Sequence, residues 1–260
     1  MRLTLALICL LFSNVILASV TINPIGDNKN YLHVYSNTLP IVDINLSINK
    51  GSASDGSMPG LTNLMMNVLM SSDIDNRKLV SYFEDLGAKL SFSVGKETSS
   101  FTVRSISDVE QISKLIKILN IALMNDVIDS SVIELEKEKI IRAISESKKR
   151  PDSLLDSSIS EKLFSGTSFS HQSFGNIDSV VKINKKDILQ HRNRILNFND
   201  IEINIVGDIS SKDSRRIINL LTNKFSKSEN ISSDKFDMTA VNYHSEFEST
   251  QSHLAVIIPT

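Results

Sequence analysis

Gly60-Leu61-Thr62-Asn63-Leu64-Met65-Met66-Asn67-Val68-Leu69-Met70 has the spacing of a packed helix. Leu61, Leu64, Met65, Val68 and Leu69 fall at i, i+3, i+4, i+7 and i+8, the stripe by which an amphipathic helix meets a core. Asn63, Met66, Asn67 and Met70 form a second face. Asn63 and Asn67 are four residues apart, so their side chains are neighbours on the helix surface. Pro59 stands just ahead, where a missing N–H costs little because the first turn has no partner for it.

Working outward, Tyr31–Tyr35 and Ile41–Ile48 alternate enough to be strands, with Asn37-Thr38-Leu39-Pro40 as the turn between them. Gly51–Gly60 is a small-residue loop. Asp75–Leu86 reads as a second helix, with Leu79, Tyr82, Phe83 and Leu86 on one face and Gly87 as its stop. Lys89–Val94 and Ser99–Arg104 alternate strictly across Gly95-Lys96-Glu97, which is a β-hairpin by period and turn chemistry. Amphipathic helices are expected at Val109–Met124, Ser131–Lys148, Pro151–Phe164, Lys185–Ile195 and Ser211–Phe225, with a strand at Ile201–Asp208. Ser165–Asn176 is a polar loop and Lys227–Asp234 a polar linker. Ser252–Ile258 reads as one more strand. Strands first, then helices, then a strand–helix return predict an α+β fold: a mainly antiparallel sheet covered on one face by helices.

Composition narrows the function classes. A net charge of −2, with 41% hydrophobic and 22% charged residues, gives no basic surface for nucleic acid or anionic lipid. Arg2 followed by the apolar run Leu3–Phe12 and small residues at Ala18 and Ser19 reads as a secretory signal peptide over residues 1–19. An uncleaved membrane anchor is the alternative. The chain's one cysteine, Cys9, lies inside that run, so a processed chain has no thiol chemistry. The interleaved charges of Glu134–Lys139 suit a solvated helix face. His33, His171, His191, His244 and His253 are scattered, with none paired at i, i+4, and read as structural or solvent-exposed residues. Met66 and Met70 raise the thought of a soft Cu(I) site, but methionine at helical spacing is ordinarily core filling.

The order of these words resembles the N-terminal domain of the pitrilysin/insulinase family of zinc peptidases, which includes the mitochondrial processing peptidases. The words are the Asn37-Thr38-Leu39-Pro40 turn, Lys50-Gly51-Ser52, Gly60-Leu61 and Leu86-Gly87-Ala88. They continue with Glu134–Lys139, Arg150-Pro151, Phe174-Gly175 and Val206-Gly207-Asp208, over about residues 25–260. The resemblance implies an insulinase-type α+β domain over residues 20–235 and, from 236 to 260, the start of a second, incomplete domain of the same kind. In active members the Gly-Leu helix carries His-x-x-Glu-His: two histidines on one helix face ligate Zn²⁺, and the glutamate activates a metal-bound water. Carried over by position, the histidines are Asn63 and Asn67 and the catalytic glutamate is Met66. A third ligand, a glutamate, falls at Ala143 or its neighbour Arg142. An amide is a poor zinc donor, a thioether accepts no proton from water, and alanine offers nothing. Zinc, the cofactor implied for the family, is therefore not expected here.

Some members of the family lack the motif and pair with an active homologue, and the family docks peptide as an added strand on a sheet edge. The corresponding strand is Lys89, Leu90, Ser91, Phe92, Ser93 and Val94. The resemblance thus implies an exported, non-catalytic homologue that binds peptide or partners an active zinc peptidase, in the periplasm if the host is a diderm bacterium. A metallopeptidase with unusual ligands, a stand-alone binding domain and a truncated remnant are the competing readings.

Overall fold

A computed structural model describes residues 21–24, 30–225, 241–248 and 250–258. The expected signal peptide and polar linker lie outside these residues. No described helix is long and apolar enough to cross a membrane.

Strands β1 (Thr21–Pro24), β2 (Tyr31–Tyr35), β3 (Ile41–Ile48), β6 (Lys89–Val94), β7 (Ser99–Ile106) and β8 (Ile201–Gly207) form one six-stranded sheet in the order β1-β2-β8-β3-β7-β6. Only the β2–β8 pairing is parallel. The expected α+β architecture is therefore the observed one. Period-2 alternation explains it: along β3 the burial alternates at every residue. On the covered face, cross-strand neighbours form the rows His33–Ile205–Ile44–Val103–Leu90 and Tyr31–Ile203–Leu46–Phe101–Phe92. Most of these side chains are buried, and each full burial of a large apolar group contributes about 1.5–3 kcal/mol. The other face presents Asn204, Asn45, Thr102 and Ser91 in one row, with Asn45 Nδ2 donating to Thr102 Oγ1 at 3.0 Å.

The covering layer contains α1 (Leu61–Met70), α2 (Leu79–Glu84), α3 (Val109–Met124), α4 (Ser130–Ser147), α5 (Pro151–Leu163), α6 (Ile177–Lys182), α7 (Lys185–Ile195) and α8 (Ser211–Thr222). Local chemistry sets their starts. Asp108 caps α3 through Glu110 and Gln111 N–H, and Asn184 with Asp187 makes a reciprocal capping box on α7. Pro151 occupies the first turn of α5.

Three sequence expectations need correction. Residues 73–78 are not helical but form a small hairpin, β4 (Asp73–Ile74) with β5 (Arg77–Lys78). Asp75 and Asn76 both take positive φ, 51° and 61°, a two-residue turn that their short polar side chains tolerate. The Asn37–Pro40 turn links β2 and β3 as expected, and β8 inserts between these two strands in the sheet. Helix α6, for which the sequence analysis made no assignment, is capped by Asn176, which accepts from Ser179 N–H. The run Glu134–Lys139 is not a solvated face throughout, since Glu136 and Lys137 are buried. Residues 252–258 form no strand, and Leu254, Val256, Ile257 and Ile258 are exposed; a strand needs a partner edge, and among the described residues none lies beside it.

Candidate functional site

Helix α1 packs against α4, α7, α3, the 52–54 turn and the edge strand β6. Leu64, Met65, Met66, Val68 and Leu69 are all at most 1% exposed. Met66 was expected on the open second face; instead it belongs to the core, because the helix is wrapped over a wider arc than its five-residue stripe suggests. Its sulfur therefore lines no surface soft-metal site. What remains open is the stripe Asn63, Asn67 and Met70, each half-buried.

The two asparagines do meet. Asn67 Nδ2 donates to the Asn63 main-chain oxygen at 2.9 Å and to Asn63 Oδ1 at 3.0 Å. The main-chain oxygen can only accept, which fixes Asn67's amide orientation and then that of Asn63. The pair thus spends both Asn67 hydrogens internally. It leaves Asn63 Nδ2 as a donor and Asn67 Oδ1 as an acceptor.

Helix α4 is pinned to the end of α1 by Glu136, whose Oε1 accepts from Ser71 Oγ at 2.7 Å and Lys139 Nζ at 2.6 Å. Ser71 is the C-cap of α1. Seven residues beyond Glu136, two turns on and on the same helix face, stands Ala143. Ala143 and Arg142 are exposed, whereas Ile140 and Ile144 are buried. Arg142 lies 3.7 Å from Glu138, an exposed contact.

The opposite end of α1 is built quite differently. Its N-cap, Gly60, has φ 94° and no side chain to offer. Asp55 supplies the missing acceptors from five residues upstream: Oδ2 takes Gly60 N–H at 2.7 Å, and Oδ1 takes Thr62 N–H at 2.8 Å and Thr62 Oγ1–H at 2.6 Å. A carboxylate here also meets the positive end of the helix dipole. Burial pushes the Asp55 pKa up, opposed by the hydrogen bonds from Thr62 and Gly60 and by His171. Beyond Thr62 stands His191, buried on α7, with Nε2 2.7 Å from Thr62 Oγ1 and Nδ1 2.7 Å from an Arg194 nitrogen. Arg194 can only donate, so Nδ1 accepts and Nε2 carries the hydrogen, which it gives to Thr62. Burial, helped by the Arg194 charge, lowers the His191 pKa to about 3. The imidazole is therefore neutral, and its 3.9 Å approach to Asp55 is not an ion pair. Glycine is required where the 172–176 loop touches this end. A Cβ on Gly60 would come within 2.7 Å of the Phe174 oxygen, and one on Gly175, φ 75°, would strike the Pro59 carbonyl.

A cavity of about 360 Å³ opens beside this collar, between the 55–58 loop and α7, with Asp55, Leu61, Gln190, His191 and Arg194 in its wall. Asn63 and Asn67 do not line it. The Asp55–Thr62–His191 chain was not singled out from sequence; the available signal was an aspartate just ahead of a helix that begins with glycine. The order Asp–Thr–His invites comparison with hydrolytic triads, but the polarity is wrong. Histidine donates to threonine here, and Thr62 is fully buried, so it is no nucleophile.

An insulinase-type model matches residues 32–175, more than half of the chain. The chain belongs to the insulinase family, peptidase family M16. No curated protein matches it. Several solved structures share its fold. The crystal structure of a peptidase M16 inactive domain from Pseudomonas fluorescens matches with a TM-score of 0.76 and 20% identity, over 84% of this chain and 53% of that one. The periplasmic protease PqqL from Escherichia coli matches with a TM-score of 0.70 and 14% identity, over 85% and 25%. A chain of complex III2 from Candida albicans matches with a TM-score of 0.61 and 17% identity, over 81% and 48%. The chain thus spans about half the length of the first of these, and at such identities the likeness is one of fold.

Within that family, the residues at the zinc positions do not fit the metal. Asn63 and Asn67 are bonded to one another, Met66 is in the core, and Ala143 carries no donor. Among the described residues, no group of three or more His, Cys, Asp or Glu side chains is placed to hold a metal ion. Of the sequence-selected histidines, His33 is buried and bonds the Ile209 oxygen at 2.9 Å, while His244 and His253 are exposed.

The other candidate site, β6, is the outer strand of the sheet. Gly95 N–H donates to Thr98 O at 2.8 Å, which fixes the phase of the hairpin. Counting by two, Ser93, Ser91 and Lys89 direct their main-chain groups at β7. Leu90, Phe92 and Val94 turn theirs to the other edge, which no strand among the described residues pairs.

Proposed function

We propose that this protein is an exported, non-catalytic member of the insulinase family that binds peptide along β6 and partners an active zinc peptidase. The observation that carries the reading is the stripe on α1. At the positions of two histidines, a glutamate and a distant glutamate, this chain has a mutually bonded amide pair, a core methionine and an exposed alanine. None of these binds zinc or activates water. Support for peptide binding is the edge of β6, unpaired among the described residues, which offers main-chain donors and acceptors with little demand on sequence. Support for a partnered role comes from the similar structures, one described as an inactive domain and another as a subunit of an assembly. Support for export is the apolar N-terminal run and the similarity to a periplasmic protease.

The test is co-purification of the processed chain with a homologue from the same cell that keeps His-x-x-Glu-His, together with zinc analysis and peptide-cleavage assays on each alone and on the mixture. The expected result is no zinc and no turnover for this chain alone, and a complex with altered peptidase activity. Bound zinc with turnover in the isolated chain would remove the reading in favour of an unusual metallopeptidase. Absence of both a complex and any effect would leave a stand-alone binding domain.

A further inference from the structure

The geometry points to a new role for the amide pair: Asn63 and Asn67 form a clamp for the main chain of the peptide that pairs with β6. The inference rests on the peptide-binding reading above and assigns to the emptied metal position a ligand of its own, an extended peptide backbone.

Three observations carry it. First, the pair is pre-organised. Asn67 is locked by two hydrogen bonds to Asn63, so little side-chain freedom is lost when a ligand arrives. Second, the groups left over are complementary to a peptide unit. Asn63 Nδ2 has two hydrogens to give to a carbonyl, and Asn67 Oδ1 can take an N–H. Third, the stripe and the strand edge are adjacent. Helix α1 packs on β6, and Asn63, Asn67 and Met70 are the residues of α1 that remain open. The outward main-chain groups of Leu90, Phe92 and Val94 would hold one edge of an added strand. The amide pair is then the polar feature of α1 available to its other groups. A zinc site polarises a peptide carbonyl as a Lewis acid; a carboxamide only hydrogen-bonds it, so the peptide is held and not cut.

The experiment measures binding of a terminally blocked, fluorescein-labelled decapeptide rich in threonine and valine, with two lysines for solubility, to the full processed chain. A second peptide carries N-methyl groups at successive residues, so that neither of its edges can pair as a strand. Asn63→Asp is the key variant. It keeps the Oδ1 acceptor that Asn67 needs but replaces both outward hydrogens with a carboxylate oxygen, which repels a carbonyl. Asn67→Ala is the second variant, and thermal unfolding of both checks the fold. The expected result is that N-methylation abolishes binding and that each variant weakens binding of the unmodified peptide about tenfold, equivalent to one or two hydrogen bonds. Binding within twofold of wild type in both folded variants, with N-methylation still abolishing it, overturns the clamp and leaves strand addition standing. Failure of the wild-type chain to bind, or equal binding of the methylated peptide, overturns strand addition and the clamp with it.

Discussion

The two ends of the structure around α1 contrast in almost every physical respect. At its N-terminal collar, Asp55, Thr62 and His191 are buried, every polar atom on the path from carboxylate to guanidinium is partnered, and glycines allow two loops to touch main chain to main chain. Three residues on, the stripe that a peptidase would use is half-exposed and self-bonded. In the collar Thr62 is buried and accepts from His191, and the family's words Gly60-Leu61 and Phe174-Gly175 lie in it. The stripe to which the resemblance assigns the chemistry carries none of the expected groups. Backbone positioning and metal ligation are thus separable requirements, even on adjacent turns of one helix.

The contrast can be broken by substitution. Asp55→Ala should have the largest effect, because it strands the Gly60 and Thr62 N–H groups and leaves the buried Thr62 hydroxyl only the Gly51 oxygen, 3.3 Å away, as acceptor; a loss of about 3 kcal/mol is expected, read from urea unfolding. A loss below 1 kcal/mol would mean the collar is not what holds α1. Gly175→Ala comes next, at about 2–3 kcal/mol, from positive φ and collision with the Pro59 carbonyl. Its readout is the same midpoint, and a neutral result would show that the 172–176 loop yields.

The third prediction concerns pH. The His191 pKa is lowered to about 3 in the folded chain, against about 6.5 in the unfolded one. Between those values the unfolded state binds the extra proton, so stability is present above about pH 6.5 and is lost as pH falls towards 3. From pH 7 to pH 5 the His191 contribution should fall by about 2 kcal/mol. Asp55 acts in the opposite sense: its raised pKa makes the folded state the better proton binder, a contribution lost as pH rises through that value. Comparing wild type with His191→Gln, whose amide can still donate to Thr62, cancels the Asp55 part. Identical pH profiles for the two proteins would refute the neutral-imidazole assignment. The smallest effect is expected at the stripe, where Asn67→Ala should change stability by no more than about 0.5 kcal/mol. A large loss there would erase the distinction between the two regions.

Which features were legible follows from range. Periodicity is local, so α3 and α7 and the 89–106 hairpin could be read closely from their own residues. The positions of Asn63 and Asn67 as helix-face neighbours were equally legible, since i, i+4 spacing alone brings them together. Burial of Met66 was not, because it depends on α4, α7 and β6 closing around α1 from distant parts of the chain. The same holds for Glu136: its neighbours in sequence say solvent, and only Ser71, 65 residues away, supplies the buried partner. His191 looked like one of five scattered histidines, since the threonine and carboxylate that give it a role lie more than 120 positions upstream. The 73–78 hairpin is a different case. Its signal, Asp75-Asn76, was local and present, but apolar residues at helical spacing after it outweighed two turn formers.

The insertion of β8 between β2 and β3 has a consequence for how the molecule is made. Ile203 and Ile205 fill the centre of the sheet, between strands that are consecutive in the chain but never touch. A nascent chain therefore holds β2 and β3 apart, or pairs them wrongly, until residue 207 has followed some 160 residues later. Such long-range closure is slow and leaves strand edges exposed meanwhile. A fragment trimmed to residues 32–175, the stretch that matches the family best, would lack its central strand altogether. It should aggregate, while a fragment extended through α8 should fold.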